Sequence, residues 1–238
     1  MVVGGIMAGG AGNRLRGAGK PKPLVTVGDR PLIAHVIQQL TDAAVSCILL
    51  DAVGADGELL EVVRRFTPNG VAVEYLGCEG STGTAGSVSR IIDAASGEPC
   101  LLSTVDTIGP QFTYRDFRSF SEAEHGALLC LLASTTVHDE MPIWVHVGRD
   151  GHSVEDFGKH VGPSERCFGN VRWFTGKASQ VYLRNSWRHA QDSEVMRFVV
   201  RELSGKVKQM TVDPIYDIDT PDDLALAAEW WSRSQKRS

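Results

Sequence analysis

As far as Asp106 the chain alternates short apolar runs with amphipathic stretches of helical period, and this pattern limits its possible folds more than any other feature. The runs "VVGGIM", "SCILLDAV", "VAVEYLG" and "PCLLSTVD" are the length of buried strands. Between them, "PLIAHVIQQL", opened by Pro31 where a missing N–H costs nothing, "GELLEVVRRF" and "TAGSVSRIIDAA" repeat their apolar residues with helical spacing. Strands joined by helices pair in parallel, because the crossover returns the chain to the same end of the sheet. After Asp106 the pattern becomes β-rich: "GALLCLLAST", then "PIWVHVGRDGHSVEDFG" with a hairpin-like Asp150-Gly151 turn, then "CFGNVRWF". Two helical segments follow, "GKASQVYLRNSWRHA" and "SEVMRFVVREL", then a strand "KVKQMTV". The expectation is an α/β protein with a mostly parallel central sheet and a second, mixed part.

The chain has 238 residues, 42% of them hydrophobic, enough for one domain that needs no disulfide or structural metal. We expect a single domain over residues 1–231, with a polar tail at 232–238. The five cysteines are odd in number, widely spaced and contain no C-x-x-C pair, which argues against a disulfide framework or a zinc site. The seven histidines show no ligand spacing either. A formal charge of -5 disfavours a protein that works by gripping a nucleic-acid backbone. No run approaches the ~18 apolar residues of a membrane span, and the start "MVVGGIMAGG" lacks the cationic region of a signal peptide. A cytoplasmic protein with neither a nucleic-acid nor a membrane partner is expected.

The cations gather in one place, "GGAGNRLRGAGKPKPL", from Gly9 to Leu24. Glycines let backbone amides approach a ligand closely, and neighbouring cations suit an anionic one. Two familiar phosphate loops fail here. A dinucleotide fingerprint starting at Gly10 would need glycine where Leu15 stands, and a Walker loop ending at Gly19-Lys20 would need glycine at Arg14 and Ser or Thr at Pro21.

The stretch instead resembles the N-terminal signature of sugar-1-phosphate nucleotidyltransferases, G-G-x-G-x-R-[LM] followed by P-K-P-[LM]. Gly9, Gly10, Gly12, Arg14 and Leu15 match the first part; Pro21, Lys22, Pro23 and Leu24 match the second. The resemblance implies a Rossmann-like three-layer α/β/α sandwich, the nucleotide-diphospho-sugar transferase fold, with a nucleotide half at 1–110 and an acceptor half at 111–231. It implies an enzyme that moves a nucleoside monophosphate from an NTP to a sugar 1-phosphate, with Mg2+ as cofactor. In such a site Ala8, Gly9, Gly10, Gly12 and Asn13 would cradle the triphosphate, Arg14 would fork onto the pyrophosphate, and Lys22 would act at the α-phosphate. Lys20 reads as a solvated loop charge.

Three further stretches extend the likeness. Asp106 ends "STVD", and ligands of open α/β sheets bind beyond the carboxyl ends of strands; the family places a Mg2+-binding acid here, although Val105 stands where it often has glycine. "YDIDTPDDL" is similar to the segment that completes the family's metal site, with Asp217 and Asp219 as alternatives, Asp217 preferred; alternate strand residues share a face, so both could reach the metal. Thr220, Pro221, Asp222 and Asp223 read as the start of a helix. "GTAGS" resembles the family's turn over nucleobase and sugar, with Gly83 and Thr84 at a helix start. Lys159 and Gly169 match, loosely, positions that contact the acceptor. The ending "DTPDDL" is also similar to cytidylyl and molybdenum-cofactor transferases, which leaves open a polyol, amino-alcohol or pterin phosphate as acceptor. A nucleotide-binding regulatory homologue without turnover stays open too.

Overall fold

The computed structural model describes residues 1–9, 15, 20–52, 57–77, 83–137 and 141–236. In chain order they form β1 (Val3–Met7), the short strands β2 (Thr26–Val27) and β3 (Arg30–Pro31), α1 (Leu32–Asp42), β4 (Cys47–Ala52), α2 (Gly57–Phe66), β5 (Ala72–Gly77), α3 (Gly83–Ala94) and β6 (Cys100–Thr104). Then come β7 (Thr107–Ile108), α4 (Thr113–Ala123), β8 (Leu129–Ser134), β9 (Trp144–Val147), β10 (Val154–Gly158), β11 (Cys167–Phe174), α5 (Gly176–Ser186), α6 (Asp192–Glu202), β12 (Val207–Thr211), β13 (Tyr216–Asp217) and α7 (Pro221–Gln235).

The first apolar run, β1, is buried along its whole length because it is flanked on both sides, in parallel, by β4 and β6. β5 extends the parallel set beyond β4. The polarity changes at β11, which runs antiparallel to both β6 and β8; β12 then pairs in parallel with β8, and the β9–β10 hairpin attaches at the start of β11. The sheet is therefore mixed, with a parallel half over β1, β4, β5 and β6 as the alternation predicts. Among the described residues, no helix is long and apolar enough to cross a membrane.

Alternate residues of each strand feed opposite layers. Leu102, Leu131 and Phe174 pack with Val88, Tyr182 and Val199 of α3, α5 and α6 on one face. Leu101, Cys130 and Trp173 pack with Ile33, Val63 and Phe117 of α1, α2 and α4 on the other. A third, smaller core joins Leu15, Val25 and Val27 to Ile108, Ile218 and Ala227, with Trp230 and Trp231 against it. It binds α7 to the β2–β3 hairpin. There the turn at Gly28 has φ +64°, and a Cβ on it would come 2.5 Å from Trp231 Cδ1, so two requirements select glycine.

Helix α4 has no counterpart among the expected elements. Its apolar stripe, Tyr114 and Phe117, is short, and its start carries no capping signal: Phe112 occupies the N-cap with a left-handed φ of 65° and no side-chain cap. Cys47, Cys100, Cys130 and Cys167 form no disulfide.

Candidate active site

Two prolines fix the lysine of the P-K-P motif. Pro21 and Pro23 hold a single tight turn over Lys22–Leu24, closed by the Leu24 amide donating to the Pro21 carbonyl at 2.9 Å. Leu24 and Val25 are buried, so the turn cannot swing outward. Lys22 itself is only 9% exposed, and its ammonium sits between two carboxylates. It contacts Asp106 Oδ2 and donates to Asp219 Oδ1 at 2.7 Å. Burial alone would lower its pKa. The charges of Asp106 and Asp217, with hydrogen bonds to Asp106 and Asp219, outweigh that cost and leave it raised above the ordinary lysine value. Lys20, by contrast, is exposed and only 3.7 Å from the equally exposed Glu58.

The acids come from opposite ends of the chain and are joined by a minimal ladder. β7 and β13 are antiparallel, with Asp217 opposite Thr107, and the Ile218 amide donates to the Asp106 carbonyl at 3.2 Å. Asp106 thereby stands beside the 217–219 segment. Thr220 and Asp223 form the capping box of α7, the Thr220 side chain accepting from the Asp223 amide and the Asp223 side chain from the Thr220 amide, with Pro221 in the first turn. Asp106 Oδ1 is buried and has no hydrogen-bond partner among the described residues. Among those residues, no three His, Cys, Asp or Glu side chains form a group that could hold a metal ion.

Beyond the acids opens a crevice of about 710 Å³, open solvent included. Lys159, Gly169, Asp217 and Asp219 line it together, along with Asn170 and Thr136. Gly169 lies tightly there: a Cβ would meet the Leu132 carbonyl oxygen at 3.3 Å. Next to it β11 breaks register between Phe168 and Arg172, and Asn170 takes a left-handed φ of 57°. That bulge turns Asn170 toward the acids, where its amide nitrogen donates to Asp217 Oδ2 at 2.8 Å.

On the parallel side of the sheet, Ala8 and Gly9 directly follow β1, and the Ala8 amide is bound to the Asp51 carbonyl at 2.7 Å. Gly10, Gly12, Asn13 and Arg14 lie outside the described residues. Gly83 and Thr84 open α3, with φ +69° at Gly83. A Cβ there would stand 2.2 Å from the Ala190 carbonyl oxygen, so the α5–α6 connection packs directly on this turn. Thr84 Oγ1 accepts from the Asp192 amide at 2.8 Å, and the Asp192 carboxylate binds buried Arg172 and the Tyr182 hydroxyl.

The structure thus brings Lys22, Asp106, Asp217 and Asp219 together, with Lys159 and Gly169 across the adjoining crevice. Sequence reasoning missed Asn170, Ser134 and Thr136. For Asn170 a signal existed, since a Gly-Asn pair inside an apolar strand marks a bulge. Ser134 and Thr136 gave none.

The MobA-like NTP transferase domain matches residues 4–186 of the chain. Mannose-1-phosphate guanyltransferase of Saccharomyces cerevisiae is 30% identical over 126 residues, 51% of this chain and 35% of the yeast protein. The mannose-1-phosphate guanylyltransferase catalytic subunit beta of Drosophila melanogaster is 33% identical over 109 residues, 43% of this chain and 29% of the fly protein. The chain spans about a third of the length of such relatives. Among solved structures, an inositol-1-phosphate CTP transferase from T. maritima superposes with a TM-score of 0.79 at 22% identity, covering 97% of this chain and 94% of the other. A UDP-glucose pyrophosphorylase complexed with UDP-glucose gives 0.76 at 12%, covering 98% and 99%. At such identities the likeness speaks for the fold.

Proposed function

The chain belongs to the family of MobA-like NTP transferase domains, and from that premise we propose that it transfers a nucleoside monophosphate from an NTP to a sugar 1-phosphate. The observation that carries this reading is the convergence of Lys22, Asp106, Asp217 and Asp219 beside a crevice that Asp217, Asp219 and Lys159 line. An oxygen of the acceptor phosphate attacks the α-phosphorus in line; the bond to the β-phosphate breaks, and pyrophosphate leaves with its electron pair. Catalysis of this kind is mainly alignment and charge neutralisation. Lys22, fixed and cationic, meets the charge that builds on the α-phosphate. Arg14 serves the departing pyrophosphate, the Ala8–Asn13 backbone with Gly83 and Thr84 holds the nucleotide, and Lys159 and Gly169 hold the acceptor.

The donor set suits Mg2+. Asp106 offers a buried carboxylate oxygen with no protein partner among the described residues, and Mg2+ needs only one or two carboxylates when phosphates and water fill its remaining sphere. Asp106 with Asp217 or Asp219 would hold the ion, which when bound supplies Lewis-acid neutralisation of the phosphates. The four described cysteines without disulfides suit work in the cytoplasm.

The test is pyrophosphate release with GTP, UTP, dTTP, CTP and ATP against mannose 1-phosphate, glucose 1-phosphate and inositol 1-phosphate, with and without Mg2+. Release with a sugar 1-phosphate supports the proposal. Release only with inositol phosphate moves the acceptor to a polyol, as the T. maritima structure of the same fold suggests. Nucleotide binding without release in any combination makes the protein a non-catalytic homologue.

A further inference from the structure

We propose that Asp213, outside every motif considered above, is the positioning residue that sets the acceptor wall of the crevice. The role rests on the transferase reading. The parallel ladder of β8 and β12 ends where Thr211 faces Ala133 and the Val212 amide donates to the Ala133 carbonyl at 2.9 Å. Past that point the two chains separate. One becomes the 134–136 stretch, whose Ser134 and Thr136 line the crevice; the other runs through Ile215 to Asp217 and Asp219, which line it as well.

The Asp213 carboxylate ties the two together. Its Oδ1 accepts from Ser134 Oγ at 2.6 Å, from the Thr135 amide at 2.8 Å and from the Thr136 amide at 3.2 Å, while Oδ2 accepts from Thr135 Oγ1 at 2.6 Å. Burial works to raise its pKa, but these donors outweigh that and hold it below the ordinary aspartate value, so the anchor stays ionised at neutral pH. Hydrogen bonds to an ionised acceptor are roughly twice as strong as neutral ones, and five converge here on one side chain, the fifth from Thr136 Oγ1 to Oδ1 at 3.4 Å. Another tie at this stretch is the Cys167 thiol, a weak donor lying 3.4 Å from the Ser134 carbonyl oxygen and 3.8 Å from that of Thr136. Asp213 therefore fixes the distance between that stretch and the acids, and with it the span available to an acceptor phosphate and its sugar. The nucleotide side gains nothing from it, since Ala8, Thr84 and Ala85 are held by Asp51, Asp192 and Ala190.

The experiment compares wild type, Asp213→Ala and Asp213→Asn with mannose 1-phosphate and GTP, or the sugar phosphate and NTP that wild type turns over. Losing the anchor in Asp213→Ala should raise the acceptor KM about tenfold while the NTP KM stays within about twofold. Asp213→Asn keeps an acceptor oxygen for Ser134 and the two amides, so it should recover most of the loss. Amide hydrogen exchange gives the second reading: the Thr135 and Thr136 amides should exchange faster in Asp213→Ala, with β8 residues 129–133 unchanged. An unchanged acceptor KM, an equal rise in both KM values, or unaltered exchange at 135 and 136 overturns the role. Absence of turnover in wild type with every pair overturns instead the transferase reading on which it rests.

Discussion

Lys22 is held by opposing forces, and its chemistry follows from which one wins. Desolvation would strip its proton, yet the surrounding carboxylates keep it charged and raise its pKa. A raised pKa means that its contribution to stability is complete below the unfolded value of about 10.4 and fades only as pH climbs through the folded one. No inflection in kcat/KM from this lysine is therefore expected between about pH 6 and 10, and a pH–rate profile checks it. Lys22→Ala should lower kcat by roughly 10² to 10³, in line with about 3–4 kcal/mol for a fixed donor at developing charge, with a much smaller loss of NTP binding by titration. An equal loss in both would assign Lys22 to ground-state binding. Asp106→Asn keeps the shape of the side chain but removes the charge, and should abolish Mg2+-dependent turnover; because it also takes a partner from buried Lys22, the melting temperature should fall while circular dichroism shows the fold intact. Full activity in that variant would move the metal site elsewhere.

At the scale of elements, the third core decides whether the site exists. Gly28 allows the β2–β3 turn to press against Trp231, and His35 accompanies it, its ring edge-on to Trp231 at 4.5 Å and its Nε2 3.0 Å from the Val27 carbonyl oxygen. Gly28→Ala should cost about 1–3 kcal/mol through strain and overpacking, read as a lower melting temperature. Burial holds the His35 pKa below its ordinary value despite the Val27 carbonyl. A depressed histidine is neutral in the fold, so stability is complete above its unfolded pKa and falls as pH drops through that value towards the folded one. Acidification below about pH 6.5 should loosen α7, seen as a shift in tryptophan emission that His35→Gln diminishes. The long strands and most helices were legible because each carries its own period. Helix α4 was not, since it lacks a cap and begins from a strained phenylalanine. The ladder of β7 and β13 was not legible either, because two-residue strands carry no period, although the acids it positions were visible as motif letters. Asn170 left one trace, the Gly-Asn pair inside an apolar strand, but Asp213 was hidden for a related reason: a cross-chain anchor gains meaning only from the strand opposite.

For the whole molecule, the sheet joins a parallel amino-terminal side to a mixed side through β11, which runs antiparallel to both β6 and β8. A ligand that fills the space between them should stabilise both. With Mg2+ and the cognate NTP at a hundredfold its Kd, mass action adds about 2.7 kcal/mol. In a chain this long each kcal/mol moves the melting temperature by roughly 2–4 °C, so a rise of about 5–10 °C in a thermal scan is expected. The same scan with Asp106→Asn should show much less of it.

The pairing of β7 with β13 has one more consequence, for the order of events at the ribosome. Asp106 emerges early, but its companions at 217 and 219 are among the last residues translated before α7. A nascent chain can build β1, β4, β5 and β6 and still lack two of the three clustered acids. On the transferase reading, activity waits until the 217–219 segment pairs beside Asp106.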